Sequence, residues 1–242
     1  MFYDGKLYDN TIVHNDIVVS YIKPFLTADT VALDIGCGTC RKIMPLANRV
    51  RRYYGIDYNS TMINRALENV QMTNARNVIP ILGNNFYLPF EDEKFDLVSS
   101  MLAMYCFGEI HRVLRSGGIL CMELLGVNDK IELKKRFGRD DLGWRGILLN
   151  QDNEIREQYL YHSMSPYFSD IRIHHVTSKI TMTYESLLAI LEQTPTIRNF
   201  CRKGDEHILR EIKRICNVEQ GMKVQDHRMI VIATRNNKRI GL

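Results

Sequence analysis

The sequence predicts an α/β fold built on a mostly parallel, seven-stranded sheet flanked by helices, with a helical cap. Three observations lead there. Short apolar runs of strand length alternate with helix-compatible segments, the pattern of β-α-β units with right-handed crossovers. The first run, Val31-Ala32-Leu33-Asp34-Ile35, enters the glycine-rich turn Gly36-Cys37-Gly38-Thr39-Cys40. At 242 residues, 45% of them apolar, the chain can bury the core of one large α/β domain.

Taken in order, a first helix is expected from His14 to Tyr21, limited by Pro24. Strand Thr30–Asp34, helix Arg41–Asn48 and strand Arg52–Asp57 follow. Ser60 is the expected cap of a helix over Thr61–Gln71. Val78-Ile79-Pro80-Ile81-Leu82 reads as a third strand, and its proline favours a sheet edge. Phe95–Ser100 is a fourth strand, Phe107–Leu114 a short helix, Gly117-Gly118 a turn and Ile119–Leu125 a fifth strand. Beyond it the pattern loosens. Asp129–Gly146 is charged and glycine-containing. Glu154–Met164 reads as helix, Asp170–Thr181 as a sixth strand, and Tyr184–Gln193 as a helix capped by Thr183. Glu206–Cys216 is a further helix and His227–Thr234 the seventh strand. The stretch between the last two strands is too long for a tight connection and is expected to form the helical cap. One domain over residues 1–242 is therefore expected, with variable substrate-side segments at 128–165 and 184–226.

Composition narrows the function classes. No run of about 18 apolar residues exists, so no membrane span is expected. The polar first ten residues lack the apolar region of a signal peptide. Six cysteines (Cys37, Cys40, Cys106, Cys121, Cys201, Cys216) show no disulfide spacing and read as reduced thiols of a cytoplasmic protein. The net charge of +4 sits largely in clusters such as Lys134-Lys135-Arg136 and Arg235–Arg239, read as solvated faces and a tail, with contact to an anionic partner the less favoured alternative.

The chemistry concentrates after the first strand. Glycine lets the main chain approach a ligand where a Cβ would collide. Asp57 ends the next strand, at the spacing of a carboxylate that holds the two hydroxyls of a ribose. Together they point to a nucleoside-bearing cofactor. A dinucleotide-binding turn would want a third glycine where Arg41 stands. Cys37-Gly38-Thr39-Cys40 also has the spacing of a redox pair, but the flanking Asp34 and Gly36 favour a cofactor loop. The other cysteines are too scattered to complete a zinc site, and no metal is expected.

From Thr30 to Leu125 these motifs resemble the class I S-adenosylmethionine-dependent methyltransferases, in the type 11 branch that includes the ubiquinone and menaquinone C-methyltransferases. The resemblance implies a Rossmann-like sheet with its last strand antiparallel, and an N-terminal lid over residues 1–25 that includes Tyr3 and Tyr8. It also implies S-adenosyl-L-methionine as cofactor and S-adenosyl-L-homocysteine as product. Asp34, Gly36, Cys37 and Gly38 correspond to the loop under the methionine part, with Asp34 orienting its amino group. Asp57 corresponds to the ribose acid, and Tyr58 is placed to pack on the adenine. In Gly83-Asn84-Asn85-Phe86, Asn84 stands where the family usually has Asp, and its oxygen can still accept from the adenine amino group. Asn85, Phe86 and Ser100 complete the expected cofactor set. The last motif is Glu109-Ile110-His111-Arg112-Val113-Leu114-Arg115-Ser116-Gly117-Gly118, with serine in place of the usual proline.

Methyl transfer from a sulfonium is a direct displacement, and positioning can supply up to about 7–11 kcal/mol. A general base is needed only where the acceptor must lose a proton. Tyr105, His162 and Tyr184 are the candidates for such a role. Glu123, Trp144, Tyr159 and Tyr161 are further acceptor-side candidates. His111 reads as a surface or packing residue rather than a base, and His174 and His175 alternate across a strand, so they cannot both face one pocket. The leading expectation is methyl transfer to O, N or C of a small molecule or short peptide. An RNA methyltransferase is less favoured, because the fourth strand ends Ser99-Ser100-Met101-Leu102 without the N/D-P-P-Y/F motif. A non-catalytic cofactor-binding partner subunit is the remaining alternative.

Overall fold

The computed structural model describes residues 17–237. The expected start of the first helix at His14, the lid tyrosines Tyr3 and Tyr8, and the end of the basic tail at Arg239 lie outside the described residues. The elements are α1 (Ile17–Ile22), β1 (Val31–Ile35), β2 (Arg52–Asp57), α2 (Ser60–Thr73), β3 (Val78–Leu82), β4 (Phe95–Met101), α3 (Phe107–Val113) and β5 (Leu114–Leu125). Then come α4 (Ile131–Arg136), a small hairpin of β6 (Arg139–Asp140) and β7 (Gly143–Trp144), α5 (Asn153–Met164), β8 (Phe168–Met182), α6 (Tyr184–Gln193), α7 (Glu206–Glu219) and β9 (Met222–Arg235).

The seven-stranded sheet has the order β3-β2-β1-β4-β5-β9-β8. β1 pairs in parallel with β2 and β4, β2 with β3, and β4 with β5. The sheet is mostly parallel, with β9 antiparallel. β3 lies at an edge, as Pro80 requires, since proline has no N–H to give a second neighbour.

The described chain divides into two compact units. The larger holds residues 17–124, 158–174 and 229–237. Its core is built from Leu33, Ile35, Ile56, Val98, Leu120 and Met122 of the strands, with Ile110 and Val113 of α3, Leu160 and Met164 of α5, and Val231 of β9. The smaller unit holds residues 125–157 and 175–228. There α7 buries Ile208, Leu209, Ile212 and Cys216, one helical stripe, against Leu187, Ile190 and Leu191 of α6 and Leu133 of α4.

Local chemistry corrects several expectations. Arg41–Asn48 is no α-helix: it is a turn followed by the 3-10 segment Met44–Arg49. Cys40 takes a left-handed φ of 58°, and Pro45 removes a helix donor while disfavouring helical geometry at Met44. The cap of α2 is Asn59 rather than Ser60; its Oδ1 accepts from Thr61 N at 2.9 Å. Thr183 caps α6 as expected, accepting from Ser186 N. Lys134, expected on a solvated face, is buried, and its Nζ has no hydrogen-bond partner.

Candidate functional site in the larger unit

The strand order reverses between β1 and β4, because the chain leaves β1 for β2 on one side and returns to β4 on the other. In open α/β sheets this switch point opens a crevice at the carboxyl ends of the strands. Asp34, Gly36, Ser99 and Ser100 lie at that point, with Asp57 at the end of the adjoining strand.

Asp34 is buried near the carboxyl end of β1. Its Oδ1 accepts from Ser99 Oγ at 2.7 Å, and Ser99 Oγ lies 3.0 Å from the Tyr53 hydroxyl. Burial pushes the Asp34 carboxyl up to about 7, opposed by the Ser99 hydrogen bond and the Lys42 charge and reinforced by Asp57 and Glu123. Lys42 is held by an ion pair to the buried Glu123 at 2.5 Å. Glu123 therefore faces a lysine rather than standing as a free base on the acceptor side.

The glycine-rich turn is tied to β2 by its own N–H groups. Gly36 N and Cys37 N both donate to Ile56 O, at 2.8 and 3.0 Å. Gly38 N donates to Asp57 Oδ2 at 2.9 Å, and Asn59 N donates to Asp57 Oδ1 at 2.9 Å. Each carboxylate oxygen thus keeps acceptor capacity beyond its one N–H. The two glycines differ. At Gly36 (φ 70°) a Cβ would fall well inside van der Waals distance of Ala103 Cβ, so this glycine admits the chain after β4. At Gly38 (φ 53°) a Cβ would meet nothing within 4 Å. The open face of the turn is at Gly38, beside Asp57. Gly55 on β2 leaves room for the Cys37 and Cys40 sulfurs. The hydrogen bond to Cys40, then burial, raises the Cys37 thiol well above its ordinary value, so it is held un-ionised.

The loop after β3 splits its two asparagines. Asn84 is exposed and turns its Oδ1 onto Phe86 N at 2.8 Å. Asn85 is buried, donates to Met104 O at 3.1 Å, and leaves its Oδ1 without a partner. Ser100 Oγ is likewise buried and unpartnered. Around these groups Tyr58, Phe86, Leu102 and Met104 leave large apolar surfaces in solvent at the ends of β2, β3 and β4, and Tyr58 is 77% exposed. Two orphan buried acceptors, an open glycine beside a carboxylate and an apolar rim fit a nucleoside-bearing ligand.

The last sequence motif is structural. Arg112 donates to Glu109, Asp92, Leu88 O and Phe90 O, and Glu109 accepts from Leu88 N at 2.7 Å, so α3 pins the loop Leu88–Asp92. Of the surface and packing roles expected for His111, the structure shows packing: it is buried against Tyr167 and Phe168.

The base candidates are not brought together. Tyr105 is partly buried in the core, its ring 4.9 Å from that of Phe107. His162 is exposed on α5. Tyr184 belongs to the smaller unit, where it packs on the core with the Lys213 ammonium 5.6 Å above its ring. That unit also holds a chain the sequence did not reveal. Asn128 N donates to His227 Nδ1 at 3.3 Å, which leaves His227 Nε2 to donate to His175 Nδ1 at 2.8 Å. His175 Nε2 then donates to Glu157 Oε1 at 2.6 Å. Gly126 makes room for this, since any Cβ there would strike the His227 ring. His174 instead lies against Tyr21 in the larger unit, as alternation along β8 demands.

Residues 33–122 match the family model described as a methyltransferase domain. Among curated proteins, the demethylmenaquinone methyltransferase of Geobacillus stearothermophilus is 35% identical over 103 residues, covering 38% of this chain and 44% of that protein. The demethylmenaquinone methyltransferase of Anoxybacillus flavithermus is 32% identical over 105 residues, covering 39% and 44%. The chain thus spans less than half the length of these relatives. Among solved structures, the YcgJ protein of Bacillus subtilis superposes with a TM-score of 0.63 at 18% identity, over 94% of this chain and 100% of that one. A SAM-dependent methyltransferase of Aquifex aeolicus superposes with a TM-score of 0.55 at 14% identity, over 97% and 99%. These likenesses show the fold. Over residues 33–122 the chain is similar in sequence to a methyltransferase domain.

Proposed function

We propose that this protein is an S-adenosylmethionine-dependent methyltransferase acting by direct displacement on a small molecule or short peptide. One observation carries the reading: the buried Asp57 carboxylate stands 2.9 Å from the N–H of Gly38, the glycine whose side-chain position is open. A ribose edge entering there meets a charged acceptor with lone pairs to spare, and charge-assisted bonds of this kind are the strong ones. Bound S-adenosylmethionine would supply a methyl group already activated on a sulfonium. Tyr58 and Phe86 offer ring surface for an adenine, and Asn84, Asn85 and Ser100 offer acceptors for its polar edge. Asp34 lies along the same strand end to orient an ammonium group, with Gly36 and Cys37 as floor. The named activity of the curated relatives supports a small-molecule acceptor. No helix among the described residues is long and apolar enough to cross a membrane. The free thiols support a cytoplasmic protein.

Calorimetry of the purified protein with S-adenosylmethionine and S-adenosylhomocysteine, with NAD as control, tests this. Micromolar binding of the first two is expected. Binding of NAD alone, or of none of the three, would overturn it.

A further inference from the structure

A cavity of about 640 Å³ lies within the smaller unit, between the segment 144–151 and the segment 191–200. It contains none of the residues assigned above to the cofactor site. From the character of its walls we infer that it is a binding site for an uncharged, largely apolar small molecule.

Polar side chains line it as well, but most of the exposed wall is apolar, supplied by Trp144, Ile147, Leu148, Leu191, Ile197 and Phe200. Its three charged residues are each already neutralised within the chain. Arg145 makes a two-pronged ion pair with Asp205 at 2.7 and 3.0 Å, Arg198 pairs with Asp140, and Glu192 pairs with Arg202. Within the lining itself a charged ligand would find no unpaired counter-charge to offset its desolvation. The volume falls within the range of small-molecule sites. The walls are built in advance. Ile147 N donates to Thr196 O at 3.0 Å, and Arg198 N donates to Arg145 O at 2.8 Å, locking the two segments together. Asn150 clamps the backbone of Trp144 from both sides, accepting from its N–H at 2.9 Å and donating to its carbonyl at 3.0 Å. Leu148 and Asn199, both lining the cavity, hold left-handed φ angles of 70° and 53°, which the surrounding bonds maintain. The site stands whether or not the chain transfers a methyl group.

Trp144 is the single tryptophan of the chain and lines this cavity, so its fluorescence reports a probe bound nearby and the cavity variants below locate it. The full-length protein is titrated with N-phenyl-1-naphthylamine, a neutral apolar fluorophore, with excitation through Trp144 and no S-adenosylmethionine present. Saturable energy transfer is expected, with Trp144 quenched as the probe brightens. Anilinonaphthalene sulfonate, of similar size but anionic, should bind weaker by about tenfold or more. Leu148→Arg, which fills the cavity with a charged side chain, should abolish transfer, and so should Pro195→Phe from the opposite wall; circular dichroism confirms that each variant is folded. No saturable transfer in the wild type, equal binding of the sulfonate, or unchanged titration in a folded variant would overturn the inference. Because the titration omits the cofactor, its failure is a separate result from failure of cofactor binding.

Discussion

Ser99 donates its hydroxyl to Asp34 Oδ1 at 2.7 Å across the β1–β4 pair, at the point where the strand order reverses. Ser99 Oγ also lies within bonding distance of the Tyr53 hydroxyl, so one small side chain satisfies two buried polar groups. Ser99→Ala removes both bonds while leaving the shape nearly unchanged. Each orphaned buried group costs about 1–3 kcal/mol, so the variant should lose that much or more in urea denaturation. A midpoint equal to the wild type's would show that the hydroxyl carries no structural weight.

The two glycines of the turn should respond differently to a methyl group. Gly38→Ala meets only its left-handed backbone, a cost of about 1–2 kcal/mol. Gly36→Ala adds collision with Ala103 to the same backbone penalty, and overpacking adds about 1–3 kcal/mol more. Thermal denaturation should therefore rank Gly36→Ala below Gly38→Ala, and Ala103→Gly should recover part of the Gly36→Ala loss. Equal melting temperatures for the two single variants would refute the distinction.

Asp57 serves both loop and ligand in this reading. Asp57→Ala should weaken S-adenosylhomocysteine binding by about 1.5–3 kcal/mol for each charge-assisted bond lost, read by calorimetry on folded protein. Asp57→Asn keeps one acceptor oxygen but not the charge, and should fall between the two. Unchanged affinity in Asp57→Ala would remove Asp57 from the site. Asn84→Asp is the complementary substitution: a charged acceptor at that position should bind as tightly or more tightly if an adenine amino group is its partner.

Most of the sheet was legible because each strand is a short apolar run bounded by turn residues, and Pro80 alone placed β3 at the edge. The glycine-rich turn of the candidate site was legible because Gly36, Gly38 and Asp57 are constrained by backbone geometry and strand ends, which are local properties. The segment after the turn was misread: Arg41–Asn48 has helical composition, yet Cys40 and Pro45 decide its geometry. The smaller unit was illegible for a different reason. Glu157, His175 and His227 meet through bonds between residues 18 and 52 positions apart, and Lys134 hides among charges that look like a solvated face. No local period encodes such meetings.

Burial, then the neighbouring His175, Arg156 and Arg228, lower the proton affinity of His227 against the opposing pull of Asp129. A histidine whose folded value is depressed contributes stability above its unfolded value, and that contribution is lost as pH falls through the folded value. Protonating it would also set a proton against the Asn128 N–H that Nδ1 accepts. Stability should therefore decline as pH falls below about 6.5, and His227→Gln should flatten that decline. Urea midpoints measured from pH 7 to pH 5 check it; parallel profiles for the two proteins would exclude His227 as the source.

Asp34 should act with the opposite sign. Its carboxyl is raised to about 7 in the folded protein, so the folded state holds a proton that the unfolded chain has released. Stability from this group is full below its ordinary value and is lost as pH rises towards 7. Asp34→Asn keeps an oxygen for Ser99 but cannot ionise, so it should remove that loss and stabilise the protein at pH 8 by about 1–3 kcal/mol. Binding should move the other way. An ammonium group on the ligand prefers the ionised carboxylate, so affinity for S-adenosylhomocysteine should rise between pH 6 and 8 in the wild type and stay flat in Asp34→Asn. Paired denaturation and calorimetry across that range separate the two effects. A binding profile that rises equally in both proteins would assign the titration to another group and leave Asp34 as a purely structural carboxyl.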